Sequence, residues 1–180
     1  MTNENKSKMS YKGMYHHIKQ AWKKPDARIL RERMITWRAS PVFTKVEKPL
    51  RLDRARTLGY KAKKGFIIVR VRIKRGGHKR PRPNKGRRGK RLHTRKNLKM
   101  NYKWIAEQRV ANKFTNLEVL NSYPIGKDGV NYFYEVILVD PKRPEIKNDK
   151  TMKWATKSKN RRRVFRGLTS SGKKSRGLRK

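Results

Sequence analysis

Apolar residues in this 180-residue chain fall into a few periodic stretches separated by basic segments containing Gly and Pro. Met14, Ile18 and Trp22 recur every fourth position, with Lys12, Lys19 and Lys23 on other faces, which predicts a helix over 11–23. Pro25 and Asp26 read as a second helix start, and Leu30, Met34 and Trp37 continue the 3.6-residue period until Ser40-Pro41 ends it. A short charged helix is expected at Leu52–Leu58, with Gly59 at its C-terminal stop. Over 66–75, Ile67, Val69, Val71 and Ile73 alternate with Ile68, Arg70, Arg72 and Lys74. This is a strand with one face on a core and most of the other outside. Residues 98–114 carry Tyr102, Ile105, Ala106 and Val110 at helical spacing.

Leu117–Tyr123 and Tyr132–Val139 then read as two strands joined by a hairpin loop over 124–129. The second is apolar on both faces except at Glu135, which places it centrally, covered from both sides. Helices followed by strands in this order predict an α+β fold: a small mixed sheet flanked by helices, with a long basic irregular loop and a C-terminal extension. The expected division is an unstructured segment at 1–10 and one domain over 11–156 with the loop 75–97 inserted. A basic tail at 157–180 completes it. Neither 75–96 nor 157–180 carries enough apolar surface to offset the entropy of ordering, so neither is expected to fold without a ligand.

Charge changes the picture. The 53 Lys and Arg against 12 Asp and Glu leave a net charge of +41, where small soluble domains usually carry about 2 to 8. No acidic residue lies between Asp53 and Glu107, or after Asp149. Such an excess opposes compaction unless a polyanion is present. The chain has no cysteine, which removes disulfides, thiolate metal sites and thiol nucleophiles and is compatible with a reducing cytoplasm. No export signal is expected in the polar N-terminus. The longest purely aliphatic or aromatic runs are Phe66–Val69 and Val136–Val139, far below the ~20 residues of a membrane span. No membrane partner is expected.

Three catalytic or ligand patterns fail on inspection. Gly167-Leu-Thr-Ser-Ser-Gly172-Lys173-Lys174 nearly spells a phosphate-binding loop, but Lys174 stands where the magnesium-binding hydroxyl belongs. Too few residues follow it for the helix that the loop requires. His16 and His17 are adjacent, and His78 and His93 lie among cations, so no metal site is expected. Asp53, between Arg51, Arg54 and Arg56, reads as an ion-pair partner or helix cap. No small-molecule substrate is indicated. What remains is nucleic acid, whose phosphates bind basic chains by releasing counterions. Basic regions broken by Gly and Pro suit RNA better than a single DNA-reading helix. Tyr11, Tyr60 and Tyr102, flanked by lysines, are candidates for stacking on bases, against the plainer reading of core aromatics.

Specific strings carry a family likeness. Arg51-Leu-Asp-Arg-Ala-Arg-Thr-Leu-Gly-Tyr60-Lys-Ala-Lys and Ile68-Val-Arg-Val-Arg-Ile-Lys-Arg-Gly-Gly77 with Lys79-Arg-Pro81 are two of them. Asn116-Leu-Glu-Val-Leu-Asn-Ser-Tyr123 and Phe133-Tyr-Glu-Val-Ile-Leu-Val-Asp-Pro141 are two more. Together with Arg166-Gly-Leu-Thr-Ser-Ser-Gly-Lys-Lys-Ser-Arg-Gly-Leu178 they resemble the "fifteen-e" family of large-subunit ribosomal proteins, of archaeal and eukaryotic type, over about 11–178. The resemblance implies a structural protein that binds and stabilises folded large-subunit ribosomal RNA beside neighbouring ribosomal proteins. It also implies a cytoplasmic, ribosomal location and no enzymatic activity. No cofactor is expected, and structural magnesium would belong to the RNA. It carries RNA contact onto Arg54, Arg56, Lys61, Lys63, Lys79, Arg80, Arg166, Lys173, Lys174 and Arg176. Charge alone adds Arg70, Arg72, Lys74, Arg75, His78, Arg82, Lys85, Arg87, Arg88, Lys90, Arg91, Arg95 and Lys96 in the strand and loop. It also adds Arg161, Arg162, Arg163 and Arg179 in the tail. The alternative is a DNA-compacting chromatin protein.

Overall fold

The computed structural model describes residues 12–77, 85–87, 89–90 and 98–179. The expected extension at 1–10 and most of the loop 75–97 lie outside the described residues.

Helix α1 spans Met14–Lys23 and buries none of its residues. Helix α2, Ala27–Ala39, starts where Asp26 accepts a hydrogen bond from the Arg28 amide at 2.8 Å. That bond satisfies one of the first-turn donors. Helix α3, Leu52–Thr57, stops before Gly59, whose φ of 96° costs a glycine nothing. Helix α4, Tyr102–Lys113, is capped by the Asn101 side chain on the Trp104 amide at 2.8 Å. Two shorter helices follow, α5 at Pro144–Lys147 and α6 at Ser170–Ser175, with 3-10 turns at Lys153–Thr156 and Ser158–Asn160 between them.

Four strands, β1 (Phe43–Val46), β2 (Phe66–Lys74), β3 (Glu118–Lys127) and β4 (Asn131–Val139), form one sheet in the order β1-β2-β4-β3. Every pairing is antiparallel, so the sheet is not the mixed one expected from sequence. The reason is local: β3 and β4 form a hairpin, and β4 turns back to pair along the whole of β2, from Phe66↔Val139 to Lys74↔Asn131. No parallel crossover is needed. The predicted loop over 124–129 is also shorter than expected. Strand β3 runs on to Lys127, and the register shifts at Val119/Asn121 and Pro124/Gly126. Pro124 has no amide to donate, and a bulge accommodates it. The turn itself is built on Asp128, whose carboxylate accepts from the Val130 amide at 2.8 Å and from the Asn131 amide.

The sheet buries both faces. On one side Val69, Val71 and Ile73 of β2 and Tyr134, Val136 and Leu138 of β4 pack against Ala106 and Val110 of α4. On the other, Phe133 and Ile137 of β4 and Tyr123 and Ile125 of β3 pack against Trp37 of α2 and Ala55 of α3. Central placement of β4 is therefore what its two-sided apolar sequence required. The face of β2 carrying Arg70 and Arg72 is less open than expected. Arg70 lies over the Trp37 ring at 5.7 Å and donates to Ser40 Oγ at 3.1 Å, while Arg72 donates to the Arg38 carbonyl.

Residues 157–179 are folded, against the expectation of a tail without structure. Val164 is buried in the α4 side of the core, and Trp104 Nε1 donates to its carbonyl at 2.7 Å. The Glu118 carboxylate accepts from the Arg162 amide at 2.9 and 3.1 Å. Glu107, fully buried on α4, accepts from Ser122 Oγ at 2.6 Å, Thr169 Oγ1 at 2.7 Å and Ser171 Oγ at 2.5 Å. Order here comes from carboxylates gathering donors in a low-dielectric interior, which a count of apolar residues does not register. The same bonding sets the string resembling a phosphate loop. Thr169 caps α6 on the Gly172 amide at 3.2 Å, so a helix does form there. Gly172 rests on Gly167, where an added Cβ would stand 2.7 Å from the Gly167 Cα. These glycines are packed against each other rather than curled around an anion.

Candidate nucleic-acid interface

The structure sorts the sequence-derived contact residues into three groups. His78, Lys79, Arg80, Arg82, Arg88, Arg91, Arg95 and Lys96 lie outside the described residues.

A second group spends its donors on the protein itself. Arg70 and Arg72 are bound as above. Arg75 donates to the Asp128 and Gly129 carbonyls at 2.9 and 3.3 Å and stacks over Tyr132 at 5.1 Å. Arg163 reaches the Val119 and Leu168 carbonyls at 3.3 and 3.0 Å and lies 4.6 Å over the Trp154 ring. Burial lowers the pKa of both Arg70 and Arg163, partly offset by Glu135 and by Glu107 with Glu118 respectively. Arg166 donates to the Lys159 and Arg161 carbonyls, Arg176 to those of Arg166 and Gly167, and Arg179 to Ser170 Oγ. Lys61 and Lys63 converge on Asp149 at 2.8 and 2.5 Å. Arg162 differs from these: its exposed guanidinium lies over Phe165 at 5.1 Å and makes no side-chain hydrogen bond among the described residues.

The third group is exposed and has no side-chain hydrogen bond among the described residues: Arg54, Lys74, Lys85, Arg87, Lys90, Arg161, Lys173 and Lys174. Among the described residues nothing draws on the donors of these heads. Few acids compete for them. Glu107, Glu118 and Glu135 are buried, and Asp128, Asp140 and Asp149 already pair with basic neighbours.

Two basic clefts were missed by sequence reasoning, because their cations come from elements distant along the chain. One, of about 470 Å³, brings Lys142, Lys147, Lys157 and Arg161 beside Thr115 and Asn116. The other, of about 580 Å³, lies between α1 and α3 and is lined by Tyr15, His16, Lys19, Asp53, Arg54, Arg56 and Thr57. Arg56 lies 5.7 Å from the Tyr15 ring centroid and donates to the Tyr15 hydroxyl. Asp53 is turned toward Arg51 at 3.6 Å, in line with its reading as an ion-pair partner. Partial burial, followed by the charges of Lys12 and His17, lowers the His16 pKa. Of the tyrosines proposed to stack, Tyr60 packs edge-on to Phe66 at 5.8 Å and Tyr102 lies 4.7 Å from Tyr132. Both follow the plainer core reading, and Tyr11 lies outside the described residues.

Among the described residues no three His, Cys, Asp or Glu side chains gather where they could hold a metal ion, and no helix is long and apolar enough to cross a membrane. The surface offers cations, hydroxyls and aromatic rings paired with guanidinium groups, the chemistry of phosphate and base contact. The family described as Ribosomal L15 matches residues 13–180.

Proposed function

Since the chain belongs to that ribosomal family and is a large-subunit ribosomal protein, we propose that it binds and stabilises folded ribosomal RNA by neutralising phosphates where RNA segments pack closely. The observation that carries this reading is the net charge of +41 set beside exposed Arg and Lys heads that have no side-chain partner among the described residues. The fold around the sheet fixes where Arg54 of α3, Lys74 of β2 and Lys173 and Lys174 of α6 stand, so little ordering is left to do on that part of the surface when phosphates arrive. The basic loop over 75–97 supplies further contacts, and the folded segment 157–179 presents Arg161, Lys173 and Lys174 outward. The role is structural, without turnover, in the large subunit of cytoplasmic ribosomes beside other ribosomal proteins. Magnesium at the interface belongs to the RNA.

Filter binding of large-subunit RNA tests this. Affinity is expected to fall by about three orders of magnitude or more between 50 and 200 mM salt if some six to ten phosphates are engaged. A flat salt response refutes the mechanism. Competition at equal salt separates the chromatin alternative: structured ribosomal RNA is expected to displace duplex DNA, and equal affinity for both would favour a DNA-compacting role.

A further inference from the structure

The α1–α3 cleft combines features that the rest of the described surface does not bring together. Tyr15 is 39% exposed although α1 places it beside α3. The Arg56 guanidinium donates to the Tyr15 hydroxyl with Cζ 5.7 Å from the ring centroid, which sets the cation at the hydroxyl end of the ring rather than across its face. The bond fixes the tyrosine's orientation, and a planar base stacks on such a held ring at low ordering cost. The cleft's other cations, Lys19 and Arg54, are exposed and make no side-chain bond among the described residues. Its one carboxylate, Asp53, is turned to Arg51.

We propose that this cleft is a single-nucleotide site for unpaired RNA: one extruded base stacks on the Tyr15 ring with Arg56 at its edge, and its flanking phosphates lie on Lys19 and Arg54. The site rests on the RNA-binding reading above and adds to it a defined place for a base, which phosphate neutralisation alone does not require. A duplex cannot use the Tyr15 ring, because its bases are already stacked on one another.

Ultraviolet crosslinking of the full chain bound to large-subunit RNA, followed by peptide mapping, tests the site. A nucleotide adduct is expected on the tryptic peptide 13–19, at Tyr15. Tyr15→Leu is expected to remove the adduct and to weaken RNA binding roughly five- to a hundredfold, the range for one base stack. Tyr15→Phe, which keeps the ring, should retain most of both. Tyr15 is exposed, so circular dichroism should show both variants folded. Absence of the adduct with unchanged affinity of Tyr15→Leu overturns the site while leaving salt-dependent RNA binding of the parent chain intact. Loss of that parent binding would bring down both readings.

Discussion

Ser171 donates its hydroxyl to the carboxylate of Glu107, 64 residues earlier in the chain, at 2.5 Å inside the protein. Thr169 and Ser122 complete the set, so one buried carboxylate joins α4, β3 and the start of α6. Removing it leaves three hydroxyls short of an acceptor. Glu107→Ala is expected to cost about 3–5 kcal/mol in urea unfolding. Hydrogen exchange should show lost protection at 169–175. Ser171→Ala removes one donor and is expected to cost about 1–2 kcal/mol.

The Gly167–Gly172 contact predicts a contrast between two glycine substitutions. A Cβ on Gly172 meets backbone atoms of Gly167 at 2.7–3.0 Å, and backbone cannot move aside cheaply. A Cβ on Gly126 meets the tip of Met34 at 2.9 Å, which can rotate, and the Trp37 ring at 3.0 Å. Gly172→Ala is therefore expected to lower the melting temperature more than Gly126→Ala. An equal or reversed order would contradict the packing described for α6.

Glu135 gives a pH dependence with a definite sign. Burial raises its pKa above the ordinary 4.5, opposed by hydrogen bonds from Tyr123 and the Leu50 amide and by Arg70 and Arg51. The folded chain thus holds that proton more tightly than the unfolded chain. This contribution is full below 4.5 and is lost as pH rises through the higher folded value. Urea titrations should show this component in the parent, and Glu135→Gln should remove it. An unchanged pH profile in the variant would refute the assignment.

Asp149 runs the opposite way. Hydrogen bonds from Lys61, then Lys63 and Thr151, hold its carboxyl well below the ordinary 3.8. The stability it supplies is present above 3.8 and is lost as pH falls toward the depressed folded value. Asp149→Asn is expected to weaken the tie between 61–63 and 149–151 at neutral pH. The difference between variant and parent should shrink in strong acid.

Arginines that bond inward and lysines that do not should separate in their effects. Lys173→Ala is expected to leave the melting temperature within a degree or two and to reduce the salt slope of RNA binding by about one. Arg163→Ala removes two carbonyl contacts and the stack on Trp154, and is expected to destabilise the fold by about 1–3 kcal/mol. Equal stability losses at both positions would contradict this sorting.

Elements with a strong period were legible in the sequence. The stripes of α2 and α4, the alternation of β2 and the two-sided run of β4 each report a burial pattern that the chain then adopts, whereas α1 forms as a helix without burying its stripe. Strand β1 was not visible because four residues, two of them Thr44 and Lys45, carry no period of their own and depend on pairing with β2. The segment 157–179 was misjudged for a different reason. Its order depends on Glu107 and Glu118, which lie far away in sequence and look like ordinary surface acids until their partners are placed. Likewise, loop cations such as Arg87 and Lys90 could be named from charge, whereas the α1–α3 cleft needed Tyr15 and Arg56 to be brought together from 41 residues apart.

The two rims of the sheet have a consequence for how copies of this chain meet one another. Strand β1 is only four residues long, and β3 is interrupted by two register shifts and by Pro124. Neither rim presents a straight row of unpaired amides and carbonyls on which a neighbouring chain could add a strand. Like charge already keeps copies apart in dilute salt. At ionic strengths where that repulsion is screened, the broken rims still discourage growth of fibrillar aggregates.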